Sequence, residues 1–597
     1  MENGKMKKVE FESQIQTHEI ILKKYNGLSR VVGYTKLFLI LLLGFIMYVT
    51  FFNEFRITLI ILTGVTTVIL IILWIYHSQV IEKVNDTKGI IAINKRHLTR
   101  ISGDWTSFSD IGMEYINHNH PYSSDLDIVG QKSVFQFLNT THTWHGRQAF
   151  VNALLGSTFS EEELEKRQAA ISELSENISF SNTMEHNFSK IGVDATVNIL
   201  INQLKNQEIF LKSKAIKSLL LHIPIISLLV NIVIFLRTQS YFAIVIVLFL
   251  QCLVWVIGIL KTQNYLNNIF HLNYKLDEYG KIIAALKTRK FRSEKLNEIK
   301  EQLIDSETSA TTAIKELDRI LSKASVRSNP LVWVIMNALF LFDYQSAIRF
   351  EKWKLKYGVA SERWFLALAE FESMMSFSHL ANVCSTTCLP SIADGKVIEA
   401  SKLGHPLIPN DKRVNNDVIC NNHIFIVSGS NMSGKTTFMR AVGINLVLAQ
   451  AGSFVCAKSM KFSQLEIMTS MRIADSLNEG LSTFYAELKR IKGIIELARK
   501  NSKMLFLIDE IFRGTNSVDR LSGAKTVLTK LEKLGVIGMI TTHDLDLCDI
   551  ASGHLRVKNY SFTETYRNNQ IHFDYKVKSG KSTTTNAKYL MQMMDIM

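Results

Sequence analysis

His423-Ile-Phe-Ile-Val-Ser-Gly429-Ser-Asn-Met-Ser-Gly434-Lys435-Thr436-Thr437 is the stretch from which the rest of the chain is read. Ile424–Val427 is a short apolar run rich in β-branched residues and predicts a buried strand, and an apolar helix is expected from Phe438. Between them lies G-x-x-x-x-G-K-T, in the strand–loop–helix setting that a phosphate-cradling loop requires. Gly429 and Gly434 let the backbone turn so that successive N–H groups face a β-phosphate, and the helix N-terminus adds its dipole. Gly429, Ser430, Asn431, Met432, Ser433, Gly434, Lys435, Thr436 and Thr437 are therefore the candidate ATP contacts. Lys435 would neutralise β- and γ-phosphate charge, and Thr436 would offer its hydroxyl to Mg²⁺.

Downstream, Met504-Leu-Phe-Leu-Ile-Asp509-Glu510 predicts a second buried strand ending in two carboxylates. Asp509 is placed to hold the Mg²⁺ shell and Glu510 to orient or deprotonate the attacking water. Alone, such a pair is as often a solvated strand end; behind Lys435 it reads as the second half of a nucleotide site. Val536–Thr541 predicts a third strand, and His543 just after it can sense a γ-phosphate, or be a structural histidine. The order of loop, helix, strand, carboxylates, strand and histidine implies an α/β sheet with ligands at the strand C-termini. The catalytic candidates are Glu510, His543 and Lys435, and the Mg²⁺ ligands Thr436 and Asp509.

These motifs together resemble the MutS family, relatives of the ABC-type ATPases. Gly429-Ser-Asn-Met-Ser-Gly-Lys-Thr-Thr is similar to that family's nucleotide loop. The likeness continues through Met471-Arg-Ile-Ala-Asp475, Gly480-Leu-Ser-Thr-Phe-Tyr-Ala-Glu487, Asp509-Glu-Ile-Phe-Arg-Gly-Thr-Asn-Ser517 and Thr541-Thr-His543. Upstream, Leu126-Asp-Ile-Val-Gly, Val134–Thr143 and Gly146-Arg147 resemble the start of the family's helical core. Gly404-His405-Pro406 resembles the entry to its ATPase domain, and Phe573-Asp-Tyr-Lys with Asn586-Ala587 resembles its closing segment. The resemblance implies ATP hydrolysis in two composite sites of a homodimer. Ser482 would reach the partner's nucleotide, and the Arg513–Ser517 loop would lie along the interface. It also implies a DNA-linked role, although the chain has no counterpart of an N-terminal mismatch-recognition domain, so mismatch recognition in the usual manner is not expected.

Two pairs of apolar runs depart from that family. Leu37–Phe52 and Ile57–Tyr76 form the first, Ser218–Leu236 and Tyr241–Leu260 the second, and no Asp or Glu lies within any run. A spanning helix needs about 17–25 such residues, so each pair reads as a transmembrane hairpin, with buried core hairpins of a soluble protein as the alternative. Lysines and arginines flank both pairs, among them Lys23, Lys24, Arg30, Lys212, Lys214, Lys217 and Lys261, which places both termini and all large segments in the cytoplasm. His222, Pro224, Asn231 and Gln251 would line a path, bond between helices or be tolerated irregularities. No charged relay crosses the runs, which argues against a transporter.

The 597 residues carry a net charge of +14, which suits polyanions, whether DNA or anionic lipid headgroups. Residues 262–329, rich in Lys, Glu and Leu with Leu296, Ile299 and Leu303 at helical spacing, predict long paired helices or a coiled-coil arm. Lys281, Lys287, Arg289, Lys290 and Arg292 on it would track phosphates, face solvent or meet headgroups. Leu331–Phe342 is too short to span a membrane and is expected to be a buried helix. Of the six cysteines, Cys384 and Cys388 would share a helix face or, the preferred reading, be two buried small hydrophobes, and with no CxxC pair and no histidine at finger spacing a zinc site is not expected. The expected architecture is multi-domain. A cytoplasmic segment (1–30), a transmembrane hairpin (31–77) and the first part of a mostly α-helical core (78–215) come first. A second transmembrane hairpin (216–261), a clamp-like helical arm returning to the core (262–390) and an α/β P-loop NTPase domain of ABC/MutS type (391–597) follow. No small-molecule substrate other than ATP is expected.

Overall fold

The computed structural model describes residues 2–52, 57–156, 158–193, 209–239, 241–270, 273–304, 309–324, 329–472, 483–512, 516–554, 556–567 and 570–582. It is mostly helical, with two sheets near the C-terminal end. Helices α1 (Glu2–Phe52) and α2 (Ile57–Ser102) lie side by side and antiparallel. The Oγ of Ser29 and the Nζ of Lys36 on α1 both bond the His77 ring of α2, at 3.0 and 3.1 Å. Both helices far outrun their apolar runs. Beyond Tyr76, the buried Val80, Val84, Thr87 and Ile91 recur every three or four residues, so one face of α2 stays packed after the lipid-like composition ends.

Short helices α3 (Val134–Leu138), α4 (Trp144–Leu154), α5 (Glu161–Glu176) and α6 (Ile178–Ile191) follow, each opened by a Ser, Thr or Asn side chain that accepts a backbone N–H. The second apolar hairpin is α7 (Lys214–Thr238) and α8 (Tyr241–Phe270). The hairpins are not core elements: Leu41 is 66% exposed, Ile61 60%, Leu228 60% and Phe249 66%. Among the described residues, four helices are thus long and apolar enough to cross a membrane. The His222 ring bonds back to the Ser218 carbonyl of its own helix at 2.6 Å rather than across the pair.

Two expectations are corrected in the next segment. The described residues between 273 and 324 form three short helices, α9 (Asn273–Thr288), α10 (Glu294–Ile304) and α11 (Ala310–Ala324); α9 and α11 pack as a pair, but they are short and build no coiled-coil arm. Their apolar faces, including Leu296, Ile299 and Leu303, are buried against the helical body, and Glu173 of α5 accepts the N–H groups of Arg292 and Ser293 where the chain turns between α9 and α10. Next, α12 (Pro330–Phe340) is not a buried helix: Leu331 is 76% exposed and Ile335 54%. It bends by 79° into α13 (Phe342–Ser378) and packs its Trp333 ring edge-on against Trp255 of α8, so it extends the apolar surface of the second hairpin. The 37-residue α13 is the spine of the body, buried on every side over Phe371–Ser378 and packed against α4, α5, α10 and α11. The short α14 (Leu380–Val383) ends at the buried Cys384, whereas Cys388 lies beyond it on a backbone bridge to Val455, so the two cysteines share no helix.

The C-terminal part is built on two sheets. Strands β1 (Ser391–Ile392), β2 (Val397–Leu403), β3 (Asn416–Asn421) and β5 (Ser459–Phe462) form the smaller, in the order β1-β5-β2-β3. The larger contains β4 (Ile424–Ser428), β6 (Glu466–Ser470), β7 (Met504–Asp509), β8 (Ile537–Thr542), β9 (Val557–Arg567) and β10 (Gln570–Ser579), in the order β10-β9-β4-β8-β7-β6. All of its neighbours run parallel except β10 on β9. Every residue of β4, β7 and β8 is buried, as continuous apolar runs in a parallel sheet must be. Helices α15 (Lys435–Gln450), α16 (Thr483–Lys500) and α17 (Ser517–Lys533) make the crossovers.

Leu126 of the helical body reaches α15 where Gly443 leaves room for it. A Cβ at that glycine would lie 2.8 Å from both Leu126 methyls and 2.9 Å from one of Leu507. Gly443→Val is therefore expected to cost about 1–3 kcal/mol through overpacking, read as a lower Tm of detergent-solubilised protein; an unchanged Tm contradicts this packing.

Candidate functional site

The C-terminal ends of β4, β7 and β8 meet at one edge of the larger sheet, where the chain order changes direction between β8 and β9 on either side of β4. Such a switch point is where open parallel sheets hold ligands. The turn Gly429–Gly434 leaves β4 there, with Gly429 at φ 148° and Gly434 at 105°. A Cβ on Gly429 would sit 2.8 Å from the Phe562 carbonyl oxygen, so only glycine fits that approach. Ser430, Asn431, Met432 and Ser433 cross the open side; Ser430 Oγ donates to Glu564 at 3.0 Å, and Met432 is 87% exposed at φ 68°. Ser433 is buried with its hydroxyl unpartnered. Lys435 and Thr436 open α15, and the Lys435 ammonium bonds the carbonyls of Gly429 and Ser430 at 2.7 and 2.8 Å, bracing its own turn. Thr437 follows on the cleft side.

Asp509 ends β7 and ties three elements together. One carboxylate oxygen accepts from Thr436 Oγ1 at 3.0 Å and the other from Thr541 Oγ1 of β8 at 2.5 Å. Thr541 Oγ1 in turn accepts the Glu510 N–H at 3.0 Å. Glu510 has φ 53°, a left-handed conformation that costs a branched or long side chain free energy and that marks functional turns. Its carboxylate meets His543 Nε2 at 2.5 Å. The structure thus brings Lys435, Thr436, Asp509, Glu510 and His543 together at these strand ends, with Lys435, Thr436 and Glu510 on the cleft wall, Asp509 behind Thr436 and His543 behind Glu510, whereas Ser482 and Arg513 lie outside the described residues.

The cleft holds roughly 550 Å³, lined by the turn, Glu510, and the apolar and aromatic groups Leu403, Ile408, Phe562 and Tyr575, a volume in the range of small-ligand pockets. His405 is also on its wall; burial, then the charges of Arg413 and Arg440, push its imidazole down to about 3, so it stays neutral. The donor set fits a nucleotide with its divalent ion: a hydroxyl and a carboxylate 3.0 Å apart, an ammonium, and a buried serine hydroxyl in search of a partner.

Local spacing gave no sign of a second cluster beneath this site. Asp125, buried in the loop before α3, accepts Thr469 Oγ1 at 2.6 Å, the N–H groups of Met471 and Arg472 at 3.1 and 2.9 Å, and Arg490 Nη1 at 2.9 Å. Asp127 pairs with both Arg440 and Arg472. Helical body and sheet are thus joined by carboxylates whose partners lie more than 300 residues away, on the two sides of the segment that leads toward Ser482. Asp125→Ala would leave four donors without their acceptor and is expected to cost on the order of 3 kcal/mol or more. Chemical unfolding of the solubilised protein checks this; a loss under about 0.5 kcal/mol, the size of an ordinary surface change, contradicts the hub.

Residues 425–595 match the family model described as MutS domain V. Similar curated proteins are the DNA mismatch repair proteins MutS of Acetivibrio thermocellus (31% identity over 293 residues, 47% of this chain and 32% of that protein), Lysinibacillus sphaericus (30% over 240 residues, 38% and 28%) and Lactobacillus acidophilus (28% over 307 residues, 49% and 34%). The matched part of each relative is about a third of its length.

Proposed function

The chain is a MutS-family protein, and from that premise we propose that it is a membrane-anchored ATPase that hydrolyses ATP in the cleft between β4 and β7. The observation that carries this reading is the Asp509 carboxylate held between Thr436 and Thr541, with Glu510 immediately beyond it. Lys435 exchanges its two carbonyl bonds for the β- and γ-phosphate oxygens of ATP, and the turn N–H groups cradle the β-phosphate. Thr436 and Asp509 would hold Mg²⁺, which when bound neutralises charge on the β- and γ-phosphates. Glu510, fixed by its bonds to Thr541 and His543, orients a water in line with the γ-phosphorus and takes its proton. The new P–O bond forms as the bond to the β-phosphate oxygen breaks, giving ADP and phosphate. The flat faces of Phe562 and Tyr575 give the base an apolar wall.

The family premise supports a homodimer with Ser482 reaching the partner's nucleotide and DNA as the polymer coupled to hydrolysis, while the four exposed apolar helices and the cations flanking them support both hairpins in the bilayer with all soluble parts and termini cytoplasmic. A second reading, in which the dimer does membrane or protein-organising work without DNA, is favoured by one observation. Three of the five cations assigned to phosphate tracking are already engaged: Lys281 with Glu82, Asp277 and Glu278, Arg292 with Glu176, and Arg289 4.0 Å over the Phe180 ring. Anionic headgroups would then be met by Lys212 and Lys214 at the foot of α7, where Lys217 is engaged with the buried Glu351.

In detergent-solubilised protein, Lys435→Ala is expected to abolish ATP binding, and Glu510→Gln to retain bound ATP while turnover falls at least ~100-fold; ordinary turnover by Glu510→Gln contradicts the mechanism. DNA coupling predicts turnover stimulated by duplex, branched or single-stranded DNA, fading as salt rises. Turnover indifferent to all three, and unchanged in liposomes without nucleic acid, selects the second reading.

A further inference from the structure

Outside the nucleotide cleft, four side chains from separate parts of the chain converge where the first hairpin's stalk meets the helical body. His97 comes from α2, Glu185 from α6, His379 from the junction of α13 with α14, and His142 from the loop before α4. His97, Glu185 and His379 are buried, and their ligand-type atoms lie within 4.8 Å of one another. His97 Nε2 and His379 Nε2 stand 3.5 and 3.7 Å from one Glu185 oxygen, and His142 Nε2 stands 3.6 Å from the other. Those separations are too long for good hydrogen bonds. All of these nitrogens and both carboxylate oxygens are buried without a hydrogen-bond partner, a costly state for polar groups in a core.

We propose that His97, His142, His379 and Glu185 form a structural site for a divalent transition ion, zinc foremost, that fastens the α1–α2 stalk to the helical body. Ligands around a tetrahedral zinc with bonds of about 2.0–2.1 Å lie roughly 3.3 Å apart; the nitrogen–oxygen separations of 3.5–3.7 Å are close to that, the ligand atoms of His97, Glu185 and His379 lie within 4.8 Å of one another, and His142 approaches from the side of the second Glu185 oxygen. Three imidazole nitrogens and one carboxylate select zinc over magnesium or calcium, which prefer all-oxygen shells. The protonation states agree. Burial lowers the affinity of His97 for a proton and lowers that of His379 strongly, leaving neutral imidazoles with free lone pairs.

The surroundings position the ligands. The Phe11 ring of α1 stacks on His97 at 5.0 Å, and Glu372 accepts the His142 N–H at 2.5 Å. Arg100 is anchored on the carbonyls of Phe137 and Asn139 at 2.7 and 3.0 Å, and its remaining nitrogen touches His97 Nδ1 at 3.3 Å. Ion binding through Nε2 puts the His97 proton on Nδ1, so this long contact is given up while the two carbonyl bonds stay. Arg96 approaches Glu185 at 3.9 Å from a half-exposed position and can turn to solvent.

The test uses full-length, untagged protein purified in detergent without chelator. Elemental analysis is expected to find about one zinc per chain, and Zn²⁺ added after chelation is expected to raise Tm where Mg²⁺ does not. The double variant Glu185→Gln/His379→Gln, shown to be folded by ATP binding, should lose both the zinc and the shift. Should that variant not fold, Co²⁺ added to chelator-treated wild-type protein provides the readout: intense visible bands of four-coordinate cobalt support the site, and their absence overturns it. Wild-type protein with under about a tenth of a zinc per chain and no Tm response to Zn²⁺, or a folded double variant that binds zinc as the wild type does, also overturns it.

Discussion

The Asp509 carboxylate is the interaction on which the candidate nucleotide cleft depends. Its two oxygens are shared between Thr436, at the start of the helix that follows the glycine turn, and Thr541, on the neighbouring strand. Because Thr541 also receives the Glu510 N–H, one carboxylate sets the position of the candidate metal ligand, the candidate base and two strand ends at once. A charge in this position is stable only because it is bonded on both sides. The same carboxylate can therefore serve a bound cation with little rearrangement, and the left-handed Glu510 is the local strain that this arrangement sustains.

Contiguous chemistry was legible in the sequence; chemistry assembled across long separations was not. The strand at 424–428, the turn at 429–434 and the strand at 504–509 each carry their reading in neighbouring residues, and the structure places all three as expected. The Asp125 hub joins residues 344–365 positions apart, and neither Asp125 nor Arg490 belongs to a pattern that spacing could expose. The His97–Glu185 cluster is equally dispersed. Polar residues after Tyr76 concealed the continuation of α2, because only one helix face there is apolar. In residues 273–324 the correct helical period hid three short helices, since periodicity reports a buried face and not what buries it. The error at Leu331–Phe340 was of the same kind: apolar composition indicated removal from water, and the surface available is the flank of α8 rather than the core.

Those apolar surfaces define how the molecule is divided. Two helical hairpins and α12 expose side chains that a soluble monomer would cover, while the body and sheets bury theirs in two contiguous clusters. The α1–α2 stalk links the two regimes as continuous helix, so displacement of the body is transmitted to the hairpin without an intervening loop. At the other end, Asp125 and Asp127 tie the body to the strand and helix that flank the signature segment.

The central claim is that Thr436 and Asp509 make this cleft an Mg²⁺-dependent ATP-hydrolysing site. The most direct measurement is steady-state ATP turnover by the solubilised full-length chain as Mg²⁺ is titrated, for wild type beside Thr436→Ala. Turnover that requires Mg²⁺, with at least roughly ten-fold more ion needed once the hydroxyl is removed, is the predicted result. Turnover indifferent to Mg²⁺, or identical Mg²⁺ dependence in the two proteins, would contradict the account.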